Sequence, residues 1–320
     1  MPNYQGVWSL STQYQNASGW PAPPSIALFG TGRTATESFS TVIEQVNMVT
    51  TGNAVDFGDL TQGRLVGAAL GSATRGVFGG GIADLSAGDG NNESDVMDYV
   101  TISSAGNATD FGDLTQKRQD FGGLSNSTRG VFCGGYSGSK FNIMDYITIA
   151  NTGNATDFGD LINARLQVGT CASTTRGLIG GGDAVSRTDE IDYITISSTG
   201  NGTDFGNLSA TVEGPGGLSS SVRGIFGGGG GSGDTNVIDF VTIASTGNAS
   251  DFGDLTVARD RHAAASNSVR GIFAGGHTSE IVNIIDSIII ATQGNASDFG
   301  DLLAPKRYSA GCSGSHGGIG

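Results

Sequence analysis

Apolar residues along this chain fall in short runs that are separated by turns rich in glycine and asparagine. Residues 118–164 show the pattern. A segment of small residues (118–128, segment A) leads to an apolar run that ends in a glycine pair (129–135, segment B). An alternating run rich in β-branched and aromatic residues (142–150, segment C) and a short run after a turn (156–161, segment D) complete it. Such runs indicate β-strands, so segments A to D predict four antiparallel strands.

One short phrase recurs six times at a nearly constant spacing. It reads Asp-Phe-Gly-Asp-Leu in most copies, and the copies begin at Asp56, Asp110, Asp157, Asp204, Asp251 and Asp298. The steps between copies are 54, 47, 47, 47 and 47 residues. A period of this length indicates stacked supersecondary units that share a core. Four strands in each of six copies predict an all-β, six-bladed β-propeller formed by residues 26–320.

The two ends of the repeat region complement each other. Residues 26–30 match segment B with no segment A before them, whereas residues 307–314 match segment A with no segment B after them. We therefore expect the C-terminal strand to complete the first blade, which closes the ring and leaves no open sheet edge. The predicted blades span about residues 26–63 with 307–320, 64–117, 118–164, 165–211, 212–258 and 259–306.

Composition adds constraints on partners and location. The net charge is −14, but many of the acids recur at fixed positions of the repeat, so we attribute the acidity to the scaffold. The missing basic face argues against nucleic-acid binding. No apolar stretch approaches roughly 18 residues, and residues 1–20 lack the pattern of a secretory signal, so we predict neither membrane insertion nor a signal peptide. The three cysteines, Cys133, Cys171 and Cys312, are expected to be small buried residues.

Other residues recur in step with the phrase. The Phe of each copy, such as Phe111, is expected to pack between neighbouring blades, and the paired Asp residues to accept hydrogen bonds in turns rather than to bind calcium. An Arg begins segment B in five copies, and an Asp recurs in segment C. Because buried charges need partners, we predict that each Arg pairs with an Asp in or beside its own blade, the functional alternative being an Arg ring that binds an anion. These arginines are Arg75, Arg129, Arg176, Arg223 and Arg270.

The order of these signals resembles the kelch repeat: an apolar pair, a glycine doublet, a spaced Tyr, a second aromatic residue, then Leu and Arg. In the third copy the matching residues are Val131, Phe132, Gly134, Gly135, Tyr146, Phe158, Leu161 and Arg165. Kelch repeats usually have Trp where this chain has Phe158. The resemblance covers residues 26–320 and implies a propeller whose loop-bearing face binds ligands. Some kelch-like folds are copper oxidases that use Tyr, His and Cys, but such a set cannot be placed in this sequence.

Function is expected where the copies differ. The loops between segments B and C vary most, and in a kelch-like blade they share one face with the connections from segment D to the next segment A. Loops on a rigid scaffold commonly bind ligands, although neutral drift in exposed turns is the alternative. The candidate ligand-binding residues are Asp89, Asn91, Tyr136, Lys140, Phe141, Arg187, Asp234, Arg261, His262 and His277. The histidines have no metal-ligand spacing and no nucleophile motif, so no catalytic residue, metal or cofactor is predicted.

Residues 1–25 lie outside the repeat and combine aromatic residues with a proline cluster. One interpretation is a docking segment for another subunit, with Tyr4, Trp8 and Trp20 as anchors. The other is a segment that lies on the side of the propeller.

Taken together, the start Met-Pro-Asn-Tyr-Gln-Gly-Val-Trp and the repeated phrases Asp-Tyr-Ile-Thr-Ile-Ala and Gly-Asn-Ala-Thr-Asp-Phe-Gly-Asp-Leu resemble virion proteins of tailed phages, particularly those of marine cyanobacterial viruses. The resemblance implies a non-enzymatic structural protein on the phage particle, such as a tail-fibre or surface-appendage component. Its partners would be other virion subunits, through residues 1–25, and a host-surface glycan or protein, through the propeller face; its oligomeric state stays open. The alternatives are a cellular carbohydrate- or protein-binding module and an oxidase or hydrolase on the same fold.

Overall fold

The computed structural model describes residues 25–319 except residues 35, 37, 38, 84–91 and 232. In this part of the chain the main regular structure is the β-strand, and the strands form six antiparallel blades around a central channel. Each blade has four principal strands, so the predicted all-β, six-bladed propeller is confirmed. The described residues contain no helix that is long and apolar enough to cross a membrane.

The strands are numbered in chain order. Their bounds are β1 Ile26–Gly30, β2 Arg33–Thr34, β3 Val42–Asn47, β4 Val55–Asp59, β5 Arg64–Leu65, β6 Ala68–Gly71, β7 Arg75–Ala83, β8 Glu93–Thr101, β9 Thr109–Asp113, β10 Gly122–Ser125, β11 Arg129–Cys133, β12 Tyr136–Ser137, β13 Ser139–Lys140, β14 Ile143–Thr148, β15 Thr156–Asp160, β16 Gly169–Ala172, β17 Arg176–Gly180, β18 Glu190–Thr195, β19 Thr203–Asn207, β20 Gly216–Ser219, β21 Arg223–Gly227, β22 Val237–Thr242, β23 Ser250–Asp254, β24 Ala263–Ser266, β25 Arg270–Ala274, β26 Ile284–Ile289, β27 Ser297–Asp301, β28 Lys306–Arg307 and β29 Ala310–Ser313.

The strand order within each blade is the same. From the channel outwards, the blades are β29-β1-β3-β4, β6-β7-β8-β9, β10-β11-β14-β15, β16-β17-β18-β19, β20-β21-β22-β23 and β24-β25-β26-β27. The two-residue strand β5 lies beside β7 in the second blade, whereas β2 with β28 and β12 with β13 form small separate sheets.

The first blade combines strands that are distant in the sequence. β29 pairs antiparallel with β1, which places Ala27 opposite Ser313. β29 also contacts β6 and β24, so the innermost strands form a continuous ring around the channel. The Ser313 hydroxyl links two members of this ring, because it donates to the Ser266 carbonyl of β24 at 2.5 Å.

A β-bulge precedes a buried acid in the third strand of every blade. In the third blade the register shifts between Met144 and Asp145, and such a shift re-aims the side chain that follows. A cation from the preceding connection pairs with the acid: Nη1 of Arg118 lies 2.7 Å from Oδ2 of Asp145, and both side chains are fully buried. The equivalent pairs are Arg64–Asp98, Arg165–Asp192, Arg259–Asp286 and Lys306–Glu44.

The prediction that the segment B arginines pair with these acids is wrong, and the strand register is the reason. Phe132 lies opposite Asp145, whereas Arg129 lies opposite Thr148, three residues further along. The Arg129 guanidinium donates instead to the Ile196 carbonyl of the next blade at 3.0 Å and covers an aromatic ring of its own blade. The other four arginines of this set donate to the equivalent carbonyl oxygens. They therefore join neighbouring blades.

The repeated phrase attaches each blade to the next. The Phe111 ring is buried among residues of the second and third blades, as predicted. The Phe111 carbonyl accepts a hydrogen bond from the N–H of Gly153 at 2.7 Å, and Asn154 Oδ1 accepts one from the N–H of Asp113 at 3.1 Å. The sixth blade contacts the first through the equivalent groups. Backbone groups and an Asn side chain, rather than the Asp carboxylates, make these contacts between blades.

Candidate functional site

One face of the propeller, here called the loop face, carries the B–C loops and the D–A connections. The two kinds of segment pair where they meet: Gln119 bridges Tyr136, and Asp260 bridges His277. The D–A connections are residues 60–67, 114–121, 161–168, 208–215, 255–262 and 302–309, and the B–C loops of the third to sixth blades are residues 134–142, 181–189, 228–236 and 275–283. The segments in which the copies differ most therefore lie at one end of the channel.

Six residues surround the channel where it opens on the loop face, and they are here called the mouth ring: Val66, Asp120, Gln167, Gly214, Arg261 and Tyr308. Each has the same position in its D–A connection and a φ between 54° and 64°. Backbone hydrogen bonds join five of the six neighbouring pairs: the N–H of Gln167 donates to the Asp120 carbonyl at 2.7 Å, for example. Left-handed backbone is unfavourable for bulky residues, so the fold maintains strain here, as functional sites often do.

The mouth ring lines a cavity of about 110 Å³, and four of its members contribute polar side chains. Gln167 Nε2 donates to Asp120 Oδ1 at 3.3 Å, and the Arg261 guanidinium carbon lies 5.1 Å from the centre of the Tyr308 ring. Burial raises the pKa of Asp120 to about 6, although the hydrogen bond from Gln167 and the charge of Arg261 oppose the shift. The cavity thus offers a carboxyl group, an amide, a guanidinium and a phenol, which suits a ligand rich in hydroxyl or amide groups.

His262, a predicted ligand-binding residue, lines the same cavity from inside the wall of the channel. Its side chain is buried, with Nε2 3.0 Å from the Gly227 carbonyl oxygen and the ring edge-on to Phe273. Burial and the charge of Arg259 lower its pKa to about 3, so the ring is neutral at physiological pH. The contacts of His262 are those of a packed wall residue.

Two other candidates tie neighbouring loops together. Lys140 of the third blade forms an ion pair with Asp183 of the fourth at 2.8 Å and also donates to the Ala184 carbonyl. Arg187 of the fourth blade forms an ion pair with Glu213 of the next D–A connection at 3.2 Å, and its side chain is 44% exposed. The exposed fraction leaves Arg187 accessible to a ligand, whereas both Lys140 contacts are internal.

The remaining candidates divide between half-buried loop residues and residues outside the described part of the chain. Tyr136 and Phe141 are half-buried, and the N–H of Tyr136 donates to the Gln119 carbonyl at 2.9 Å. Ligand binding by either residue stays a prediction. The candidates that lie outside the described residues are Asp89, Asn91, Tyr4, Trp8 and Trp20.

Two candidates meet at the boundary between the fifth and sixth blades. Carboxylate oxygens of Asp234 and Asp260 and a ring nitrogen of His277 all lie within 4.8 Å of one another. Asp260 is 7% exposed, and its Oδ1 accepts no hydrogen bond from the described residues. Its Oδ2 lies 3.3 Å from Nε of Arg261. Two carboxylates and one imidazole are a donor set that a divalent metal ion could use.

Sequence reasoning missed Asp120, Gln167, Asp260 and Tyr308. The signal was present, because the mouth-ring position has a different residue in each copy, whereas the cation two residues before it is nearly constant. Variation among the B–C loops is more conspicuous in the sequence than variation at this single position of the D–A connection. The Asp234, Asp260 and His277 cluster has no compact spacing, since its members come from three separate segments.

The comparisons with known proteins add no assignment. No protein-family model matches the sequence, and no curated protein is significantly similar to it.

Proposed function

We propose that the protein is a non-enzymatic recognition protein whose loop face binds a polar ligand, such as a surface glycan or a loop of another protein. The observation that carries this proposal is the mouth ring. Six equivalent backbone positions carry six different residues around this cavity, and four of these residues have polar side chains. A purely structural ring would not need a different residue at each position. Varied side chains on a strained, rigid frame are typical of a recognition site.

The finer proposal is a structural protein of a phage particle, in a tail fibre or surface appendage. Its support is the resemblance of the aromatic start and the repeated phrases to virion proteins of tailed phages. In this proposal the loop face contacts the host surface. Residues 1–25 attach the propeller to other virion subunits, with Tyr4, Trp8 and Trp20 as anchors. The kelch-like order of signals in each blade agrees with a ligand-binding face but does not distinguish a phage protein from a cellular binding module.

An enzyme that uses a cysteine is an alternative function with little support. Burial raises the pKa of Cys133, Cys171 and Cys312 to about 12, so none of them is a thiolate at neutral pH. A buried thiol in apolar surroundings is a poor nucleophile and a poor metal ligand. This argues against an oxidase or hydrolase that uses cysteine.

Glycan-array and host-envelope binding test the recognition role. Arg261→Asn and Tyr308→Asn remove mouth-ring side chains, while Asn tolerates the left-handed backbone. We expect each variant to lose about tenfold or more in affinity, because the ligand loses a buried hydrogen bond to the guanidinium of Arg261 or the phenol of Tyr308. Asn151→Ala, in an exposed turn on the opposite face, is the control and should bind normally. Unchanged binding by both mouth-ring variants would move the binding site elsewhere.

A second experiment separates the phage particle from the cellular module. Removing residues 1–25 should leave glycan binding intact but prevent incorporation of the protein into particles. A truncated protein that is still incorporated would refute the docking role of this segment.

A further inference from the structure

Among the residues that the structure describes, the fifth blade lacks the buried cation found in each of the other five. In the fourth blade Arg165 has a fully buried side chain and lies 3.1 Å from Asp192. Its guanidinium also donates to the Ile179 carbonyl at 3.1 Å and to the Glu190 carbonyl at 3.2 Å. Forty-seven residues further on, Val212 stands where this arginine would be. The acid is retained, as Asp239.

Asp239 keeps the geometry of its equivalents but lacks their ion pair. It follows the same β-bulge and is 6% exposed. Its Oδ2 accepts hydrogen bonds from the N–H and the hydroxyl of Ser209, both at 2.8 Å. Its Oδ1 is buried and accepts no hydrogen bond from any described residue. A buried carboxylate oxygen with no partner is energetically unfavourable, so this atom is the natural acceptor for a cation from outside the blade.

A cavity of about 380 Å³ is lined in part by Asp239. Its walls include Val212, Phe226, Gly228 and Val237, and its rim includes the exposed residues 209–211. Phe226 and Val237 correspond to Ile179 and Glu190, whose carbonyl oxygens accept from the arginine of the fourth blade. The cavity therefore preserves the surroundings of a guanidinium and is open to solvent. Its volume is within the range of small-ligand pockets, about 300–1,000 Å³.

We propose that this cavity binds the guanidinium or primary ammonium group of an external ligand, which pairs with Asp239 where the other blades place their own arginine or lysine. The apolar part of the walls would cover the methylene chain that carries the cation. The exposed carboxylate of Asp234, which also lines the cavity, adds attraction for a positive ligand. Burial raises the pKa of Asp239, the Ser209 hydrogen bonds lower it, and a bound cation would stabilise the ionised form further. This inference is independent of the role of the mouth ring.

Calorimetric titration with agmatine, methylguanidinium and the peptide Gly-Arg-Gly tests the proposal, with methylurea as the neutral isostere. We expect the cationic probes to bind and methylurea not to bind. Tighter binding of the peptide would indicate a protein partner, whereas tighter binding of agmatine would indicate a free amine; either result supports the site. If no cationic probe binds, or if the cavity region binds divalent metal ions only, the proposal is wrong.

Substitutions locate the binding in the blade. Val212→Arg restores the missing cation, so it should abolish agmatine binding and raise the melting temperature by about 2–4 °C. Val257→Arg adds the same charge at an exposed valine and should bind agmatine like the wild type. Asp239→Asn keeps the shape of the side chain and should weaken agmatine binding about tenfold or more. This second variant tests the proposal even if Val212→Arg does not fold. Unchanged agmatine binding by a folded Val212→Arg or Asp239→Asn variant would refute the proposed site.

Discussion

Asp120 is a residue of the mouth ring whose protonation affects the stability of the folded protein. It has a φ of 55°, accepts a hydrogen bond from Gln167, and has a pKa raised to about 6 by burial. The charge of Arg261 lowers this pKa and that of Glu213 raises it. Because the native pKa exceeds that of the unfolded chain, about 3.9, the folded state binds the proton more tightly. Its contribution to the free energy of unfolding is therefore largest below about pH 4 and falls as the pH rises to about 6.

Asp120→Asn should remove this loss of stability at high pH. Asn keeps the acceptor for Gln167 and tolerates the left-handed backbone, but it never carries a charge. We expect the variant to be more stable than the wild type by about 1–3 kcal/mol at pH 8 and equally stable near pH 4. Urea unfolding at several pH values measures the difference. Asp157→Asn, at an exposed position, is the control; a difference for Asp120→Asn that does not vary with pH would contradict the explanation.

For single residues, the sequence predicts which apolar side chains are buried better than it predicts which charged side chains pair. The burial of Phe111 between blades follows from its periodic place in an apolar pattern, which is a property of the sequence itself. The partner of Asp145 does not follow, because each of Arg118 and Arg129 is a plausible cation. The choice depends on register, which places Phe132 and not Arg129 opposite the acid. The partner of Asp145 is therefore determined by the tertiary structure and not by residue type.

The outermost strands show why particular elements need particular residues. Gly112 in β9 has a φ of 137°, and a Cβ at this position would lie 2.5 Å from backbone atoms of Gly153 in the next blade. The close approach allows the hydrogen bonds between the Phe-Gly-Asp strand of one blade and the Gly-Asn turn of the next. The repeated glycine is therefore a requirement of blade-to-blade packing.

Gly112→Ala should destabilise the propeller by about 1–3 kcal/mol, because the new methyl group forces the two blades apart and strains the backbone. Chemical denaturation gives the difference in free energy of unfolding. Gly233→Ala is the matched control, since nothing lies within 4 Å of a Cβ there. Equal stability of the two variants would show that the close contact between blades can relax without cost.

The sequence predicts the long elements of each blade and misses the shortest ones. Segments B, C and D are visible because each has several alternating or β-branched residues, and they appear as strands in all six blades. The two-residue strands β2, β5, β12, β13 and β28 carry no such pattern. β2 pairs with β28 and β5 pairs with β7, so these strands exist because a loop meets another part of the chain. β12 and β13 instead pair with each other in a tight local hairpin around Gly138. The pairing of β2 with β28 depends on the closed fold and has no local signal in the sequence.

For the whole molecule, the two ends of the channel differ. The mouth ring narrows the loop-face end, whereas residues 314–319 lie across the opposite end. His316 Nε2 lies 3.1 Å from the Gly71 carbonyl oxygen and 3.2 Å from the Ser125 hydroxyl oxygen. The N–H of Gly317 donates to the Ser219 carbonyl at 3.1 Å. This segment thus contacts the second, third and fifth blades, so it links blades that are not adjacent in the ring.

Two truncations separate the contribution of this segment from that of β29. Removing residues 314–320 should lower the free energy of unfolding by a few kcal/mol, because each lost hydrogen bond contributes about 1 kcal/mol. Removing residues 310–320 also deletes β29, which exposes the edges of β1 and its ring neighbours. We expect that loss to approach the whole stability of a domain, about 5–15 kcal/mol, so the cooperative transition in urea should disappear. If both truncated proteins unfold at the same urea concentration, β29 adds nothing to the stability beyond what residues 314–320 contribute. That result would contradict the explanation that the pairing of β29 with β1 closes and stabilises the ring.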